Sequence, residues 1–334
     1  MDAGRQAAPT ALPRSPRRQA GPRGRPRGAV LSPRRAPNPD AVKISRPGKV
    51  LITPGITKAD LAGYYEGVAK AMIPLIGERP LNLERYPDGL EGERIMQQRA
   101  GRYFPDWIGR VEVPSSKGPV EHVLARDGAT LVYLAGQACI TLHPWLSRRD
   151  KLTRPDRLII DLDPSREDPD AVRRAALLFG GLLRELELKP WVMTTGSRGY
   201  HVVVSLQRRL DFDAVRDFAR ALAELAAARE PRLFTIEQRK AKREGRILID
   251  ILRNAYAHTS VAPYAVRARR GGPVATPLHW EEMEDPKTHP QRWTLATVPE
   301  RLARDGDPWR DIDKSPMSLS APRKRLDEAI AELG

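Results

Sequence analysis

Two aspartates, Asp161 and Asp163, end the apolar run Leu158-Ile159-Ile160. On a β-strand, residues i and i+2 project from one face, so both carboxylates point together while Leu162 packs behind them. Hard oxygen ligands at this spacing suit one or two Mg²⁺ or Mn²⁺ ions. Two such ions about 3.5–4 Å apart stabilise the attacking and leaving oxygens of an in-line phosphoryl displacement. By itself the pair is weak evidence, since it occurs by chance in surface loops and glycosyltransferases use it too. The apolar run before it favours a buried strand end. A third aspartate, Asp250, stands in Ile247-Leu248-Ile249-Asp250-Ile251-Leu252. An unpaired carboxylate is costly to bury, so a metal ion or a cationic side chain is expected beside it, and a plain salt bridge would also serve.

A second constellation is Thr194-Thr195-Gly196-Ser197-Arg198-Gly199-Tyr200-His201, leading into Val202-Val203-Val204. Two glycines around Ser-Arg, between strands, make a tight turn whose exposed backbone N–H groups suit phosphate. Hydroxyls at Thr195 and Ser197, and the guanidinium fork of Arg198, add side-chain donors. The plainer reading is a hairpin with a solvated Arg198 and a strand histidine, His201. Arg267 and Arg269, after Thr259-Ser260-Val261-Ala262-Pro263-Tyr264, are further basic candidates for a triphosphate or a nucleic-acid backbone.

The elements that must carry these residues follow from periodicity. Leu61, Tyr64, Tyr65, Val68, Met72 and Leu75 predict a helix over 57–76 with Thr57 as N-cap. Arg79 to Tyr86 reads as a strand closed by the turn Pro87-Asp88-Gly89. The runs 120–125 and 129–134 flank Asp127-Gly128, a hairpin signal. Helices are expected over 170–188 and 212–228, strands over 191–195, 201–206 and 246–252. Strands separated by helices, together with hairpins, predict an α+β fold with a mixed sheet.

Composition narrows the class. The formal net charge is +15, which fits a partner that is a polyanion. Residues 1–40 hold nine Arg against two Asp, or +7, in a Pro-, Gly- and Ala-rich stretch expected to be a disordered basic tail. The other 294 residues keep +8, so the inference survives without the tail. The single cysteine, Cys139, excludes an internal disulfide framework and suggests a reducing, cytoplasmic setting. No run of 18 apolar residues predicts a membrane span.

Taken in order, these elements resemble the archaeo-eukaryotic primase superfamily, and most closely the polymerase domain of bacterial ATP-dependent DNA ligase D, which acts in non-homologous end joining. The likeness runs from about Lys49 to Trp309. It includes Gly77-Glu78-Arg79-Pro80, Arg85-Tyr86-Pro87-Asp88-Gly89, Pro105-Asp106-Trp107, Asp161-Leu162-Asp163-Pro164, Gly196 to His201, Ser260 to Tyr264 and Ala303 to Asp307. The resemblance implies a primase-like catalytic core with a mixed or antiparallel sheet flanked by helices. It implies a catalytic domain over 41–315 (an N-terminal lobe over 41–135, a catalytic core over 136–315) and a C-terminal segment over 316–334. Asp161, Asp163 and Asp250 would be the catalytic metal ligands for two Mn²⁺ or Mg²⁺ ions. His143, Thr195, Ser197, Arg198, His201, Arg253 and Arg267 would bind the nucleotide. Lys49 and Lys58 would grip the 5′-phosphate of a gapped or broken DNA end.

The implied activity is template-dependent addition of NTPs, ribonucleotides in preference to dNTPs, to primer 3′-ends. Ku and a separate DNA ligase are the implied partners of a monomer in the cytoplasm, associated with the nucleoid. A stand-alone primase that starts chains de novo, or a non-catalytic DNA-end-binding module, are the alternatives. The sequence departs from the family at Ile95-Met96, where two phenylalanines are common and one stacks on template; Tyr103, Phe104 and Trp107 are candidate substitutes. No ligase or phosphoesterase segment follows Trp309, so the chain by itself is not expected to seal a nick.

Overall fold

The computed structural model describes residues 35–333; most of the expected basic tail lies outside the described residues. Two short strands, β1 (Val50–Ile52) and β2 (Ile56–Thr57), pair with each other and lead into helix α1 (Lys58–Ile76). Thr57 caps α1 as expected: its hydroxyl accepts from the Asp60 N–H at 3.2 Å, and the Asp60 carboxylate accepts from the Thr57 N–H at 2.8 Å. Strands β3 (Leu81–Arg85), β4 (Ile95–Gln97), β5 (Gly109–Val113), β6 (Val120–Leu124) and, after helix α2 (Gly128–Gly136), β7 (Cys139–Pro144) form the first sheet, in which β7 pairs with β3.

The expected hairpin at Asp127-Gly128 is absent. Asp127 instead caps α2, its carboxylate accepting from the Thr130 N–H at 2.8 Å. Asp-Gly serves equally as a turn and as a helix start. The apolar stretch after it packs as a helix against α1.

The second sheet carries the carboxylates. Its strands are β8 (Arg157–Pro164), β9 (Pro190–Thr194), β10 (Tyr200–Ser205), β11 (Phe234–Thr235), β12 (Ile247–Asp250) and β13 (Pro277–Leu278), in the order β11-β12-β8-β10-β9-β13. Only the edge pair β11–β12 is parallel, which makes the sheet mixed. Helix α3 (Pro169–Glu185) packs on β8, β9 and β10, and α4 (Phe212–Arg229) packs on β8 and β11. Asp168 and Asp211 cap these helices by accepting from the N–H groups of Ala171 and Ala214. Two later helices, α5 (Val298–Asp305) and α6 (Ser320–Ala331), complete the chain, with Leu326 of α6 fully buried in the common core near α4.

Candidate active site

Strand β8 lies between β12 and β10, and the registers are decisive. Asp161 stands opposite Asp250 on one side and opposite His201 on the other, while Asp163 stands opposite Leu248. Directly opposed residues share a face. Asp161, Asp163, Asp250 and His201 therefore crowd one face of three adjacent strands. The alternate residues Leu158, Ile160 and Leu162 are completely buried.

Basic side chains face each β8 carboxylate. Arg198 and Arg243 donate to the two oxygens of Asp163 at 3.0 and 3.1 Å. Arg253 Nε lies 3.4 Å and His201 Nε2 3.6 Å from the Asp161 oxygens. Burial alone would raise the Asp161 carboxyl, but His201 and Arg253 outweigh it and hold it below the usual range. Asp250 moves the other way. Burial raises it and Asp161 adds to the rise, against a bond from the Leu252 N–H at 2.8 Å. Like charges at close quarters are a liability unless a cation joins them.

The turn between β9 and β10 differs from its expected form. Thr195 is buried, and its hydroxyl donates to the Gly199 carbonyl at 2.9 Å while accepting from the N–H groups of Ser197 and Gly199, both at 3.2 Å. Those two N–H groups are thus held within the turn rather than presented to a phosphate. The glycines are needed for close approach. A Cβ on Gly199 would sit 2.0 Å from the Leu162 carbonyl oxygen, and Gly196 has φ +62° with the backbone of Val274 2.8 Å from where its Cβ would be. The turn is thereby pressed against β8 and carries Arg198 to Asp163.

The acidic face opens into a polar cleft of about 240 Å³. All three aspartates and all seven residues expected to bind nucleotide line it, along with Thr259, Ser260 and Val261. Arg267 reaches the Thr195 carbonyl at 3.2 Å, and His143 enters from β7 of the other sheet with its Nε2 2.9 Å from Glu84.

Two residues of this neighbourhood escape sequence reasoning. Arg243 lies in the charge-dense run 237–246, which reads as a solvated loop, yet it is buried and anchored on the carbonyls of Glu237 and Gln238. Glu84 is one polar residue in a short strand, and only the pairing of β3 with β7 brings it to His143.

Lys49 and Lys58 lie apart from this cleft. Lys49 Nζ pairs with Asp88 at 2.7 Å. Lys58 is buried, with Nζ 2.8 Å from the carbonyl of Gly136, the last residue of α2, and 3.2 Å from that of Ser45. An ammonium there satisfies a helix-end carbonyl. Burial lowers the Lys58 pKa, and the charges of Arg46, Lys49 and Arg85 lower it further. At the family's aromatic position, Ile95 and Met96 are both exposed. Of the candidate substitutes, Phe104 is buried and Trp107 packs on Tyr133, whereas Tyr103 is exposed beside Arg85.

Three hard anionic oxygen donors on one face fit a divalent cation such as Mg²⁺ or Mn²⁺. Among the described residues no three Asp, Glu, His or Cys side chains already close around a common point. The Asp161 and Asp163 carboxylates are turned instead towards Arg198, Arg243 and Arg253, and Asp250 accepts from the Leu252 N–H.

Known proteins are similar to this chain in sequence and in fold. The sequence profile of the family described as LigD, primase-polymerase domain, matches residues 57–309. The multifunctional non-homologous end joining protein LigD of Pseudomonas aeruginosa is 35% identical over 289 residues, covering 85% of this chain and 34% of that protein. The bifunctional LigD of Bacillus subtilis is 29% identical over 263 residues, covering 78% of this chain and 42% of that protein. The chain thus spans about two fifths or less of the relatives it matches. Among solved structures, the polymerase domain of Mycobacterium tuberculosis ligase D in complex with DNA superposes with a TM-score of 0.77 at 27% identity, covering 83% of this chain and 99% of that one. The chain belongs to the LigD primase-polymerase domain family, a family of nucleotidyltransferases.

Proposed function

We propose that the chain is a template-dependent polymerase that adds NTPs, ribonucleotides in preference to dNTPs, to primer 3′-ends at gaps and double-strand breaks. The observation that carries this reading is the set Asp161, Asp163 and Asp250 on one sheet face, at the wall of a cleft lined by Arg198, Arg253 and Arg267. Three carboxylates faced by these guanidiniums and by Arg243 suit a polyanion that arrives with its own cations.

Asp161, Asp163 and Asp250 would hold a pair of divalent ions, which supply charge neutralisation for the attacking hydroxyl and the leaving diphosphate. Arg198, Arg253, Arg267 and His143 orient the triphosphate so that its α-phosphorus meets the primer 3′-hydroxyl in line. DNA is the second substrate, in keeping with the DNA-bound polymerase domain that shares this fold. Lys49 and Lys58, with Arg46 and Arg85 beside them, would form the site for a 5′-phosphate at the far side of a gap. A phosphate there would compete with Asp88 for Lys49. End joining would then require a ligase and an end-holding partner such as Ku.

Primer extension on a gapped duplex tests the reading, with and without a 5′-phosphate, with NTPs and dNTPs, in Mg²⁺ and Mn²⁺. Extension is expected from the wild type and not from Asp161→Ala. Equal extension by both would refute the assignment. Replacing Lys49 and Lys58 together should erase any preference for the 5′-phosphorylated gap.

A further inference from the structure

Glu84 stands just behind the cleft, on β3 between Met96 of β4 and Thr141 of β7. Its neighbour on the same face, Asn82, lies opposite His143. The Glu84 carboxylate is nearly buried and gathers three donors: His143 Nε2 at 2.9 Å, Arg94 Nε at 2.9 Å and the Tyr86 hydroxyl at 3.2 Å. Burial opposes its ionisation, but His143, Arg94 and Arg267 hold its pKa down to about 2. An ionised carboxylate only accepts hydrogen bonds, so the hydrogen between the two groups sits on Nε2 of His143.

His143 lines the cleft, and with Nε2 taken by Glu84 the ring nitrogen left to meet a ligand is Nδ1. In the neutral ring that nitrogen is a lone pair, which repels a phosphate oxygen; only the imidazolium donates from both nitrogens. The groups facing the ring are opposed. Glu84 on β3 favours the cation, backed by Tyr86. Burial disfavours it most, followed by Arg267 and Arg253, which enter from the segments after β12. Arg94 offsets part of the Glu84 charge. Across the cleft, Asp161 and Asp163 are already countered by Arg253, His201, Arg198 and Arg243. A triphosphate entering the cleft cancels the field of Arg253 and Arg267 and leaves Glu84 in place.

We propose that Glu84 is a positioning residue that makes nucleotide binding proton-coupled. His143, held through Nε2, takes a proton from solvent as the triphosphate enters and then donates from Nδ1 to a phosphate oxygen. This rests on the nucleotide reading of the cleft given above. A group whose pKa is higher in the complex than in the free protein binds ligand more tightly as pH falls, so nucleotide affinity weakens as pH rises through that interval.

Calorimetric titration of the full chain with ATP and Mg²⁺, without DNA, at near-neutral pH in buffers of differing ionisation enthalpy, counts the protons taken up. The wild type is expected to take up a measurable fraction of one proton per ATP, and Glu84→Gln and His143→Gln to take up none. In primer extension, the wild-type KM for NTP should rise with pH by at most about tenfold per unit, with a flatter profile in both variants. A merely structural role for Glu84 would lower activity without flattening that profile. ATP binding with no proton uptake, or uptake that persists in either variant, overturns the proposal and leaves the nucleotide site standing. Absence of ATP binding to the wild type overturns both. If Glu84→Gln fails to fold, His143→Gln decides the outcome alone.

Discussion

Strand β8 carries an aspartate–arginine cluster at each end, and the two are built differently. Asp156, just before the strand, receives both Nη atoms of Arg79 at 2.6 and 2.8 Å and Nε of Arg148 at 2.6 Å. The Arg79 and Asp156 side chains are only 4% and 5% exposed. Asp163, at the other end, is 34% exposed, and its arginines stand at 3.0 and 3.1 Å with one bond each. Asp161 has contacts of 3.4 and 3.6 Å. The first cluster is short, forked and dry, and it ties α1's end to the strand and, through Arg148 and Arg157, to Asp313 near the C-terminus. The second is long, single-bonded and open to the cleft. Ion pairs of the second kind contribute little to stability, and their partners can be exchanged. One cluster is a clamp, and the other is a set of open carboxylates countered by arginines.

Exchange of function against stability is the largest expected contrast. Asp163→Ala should lower primer extension by about a thousandfold or more while leaving Tm within about 3 °C. A large fall in Tm measured by calorimetry would place Asp163 with the clamp and erase the distinction.

Asp156→Ala should do the reverse. Removing one partner of a buried pair costs about 3–5 kcal/mol, or roughly 5–8 °C in Tm for a domain of about 300 residues, with extension by the folded protein retained at low temperature. The double change Arg79→Met with Asp156→Leu should cost less than Asp156→Ala alone, because no charge is left unpaired. Burial by itself would raise the Asp156 carboxyl, but Arg79, Arg157 and Arg148 hold it well below the usual range. A depressed folded pKa means stabilisation that is complete above about pH 4 and lost as pH falls towards the folded value. Stability should therefore fall more steeply with decreasing pH for the wild type than for the double variant. Parallel acid profiles would contradict the clamp.

These two clusters also show what the sequence reveals and what it conceals. Asp161, Asp163 and Asp250 are legible because a carboxylate at the end of, or inside, an apolar run violates the strand pattern. The helices over 57–76, 170–188 and 212–228 appear close to their expected positions because periodicity and a capping Thr or Asp agree. Asp127-Gly128 is misleading because the same dipeptide opens a turn or a helix, and packing against α1 decides between them. Asp156, Glu84 and Arg243 are silent in the sequence for a common reason. Each is an ordinary charged residue whose role comes from a partner 77, 59 or 80 positions away. Pairing at that range is set by sheet order, which no local pattern encodes. In the Gly196–Gly199 turn the N–H groups of Ser197 and Gly199 go to the Thr195 hydroxyl, an internal acceptor that the motif does not announce.

The smallest and most discriminating effect concerns Arg243. Its guanidinium is buried and fixed by two carbonyls, yet the Asp163 carboxylate it holds is partly exposed at the cleft wall. A divalent ion arriving at Asp163 has to compete with that bond. In Arg243→Ala the carboxylate keeps Arg198 and loses the second cation, so Mn²⁺ should bind the free protein more tightly, by about fivefold for one partly exposed charge-assisted bond. Electron paramagnetic resonance of unbound Mn²⁺ measures this directly and requires no turnover. Weaker binding in the variant would mean that Arg243 organises the acidic face instead of competing for it. The end of β8 would then share the clamp's logic after all: an arginine that builds the site rather than one that yields it.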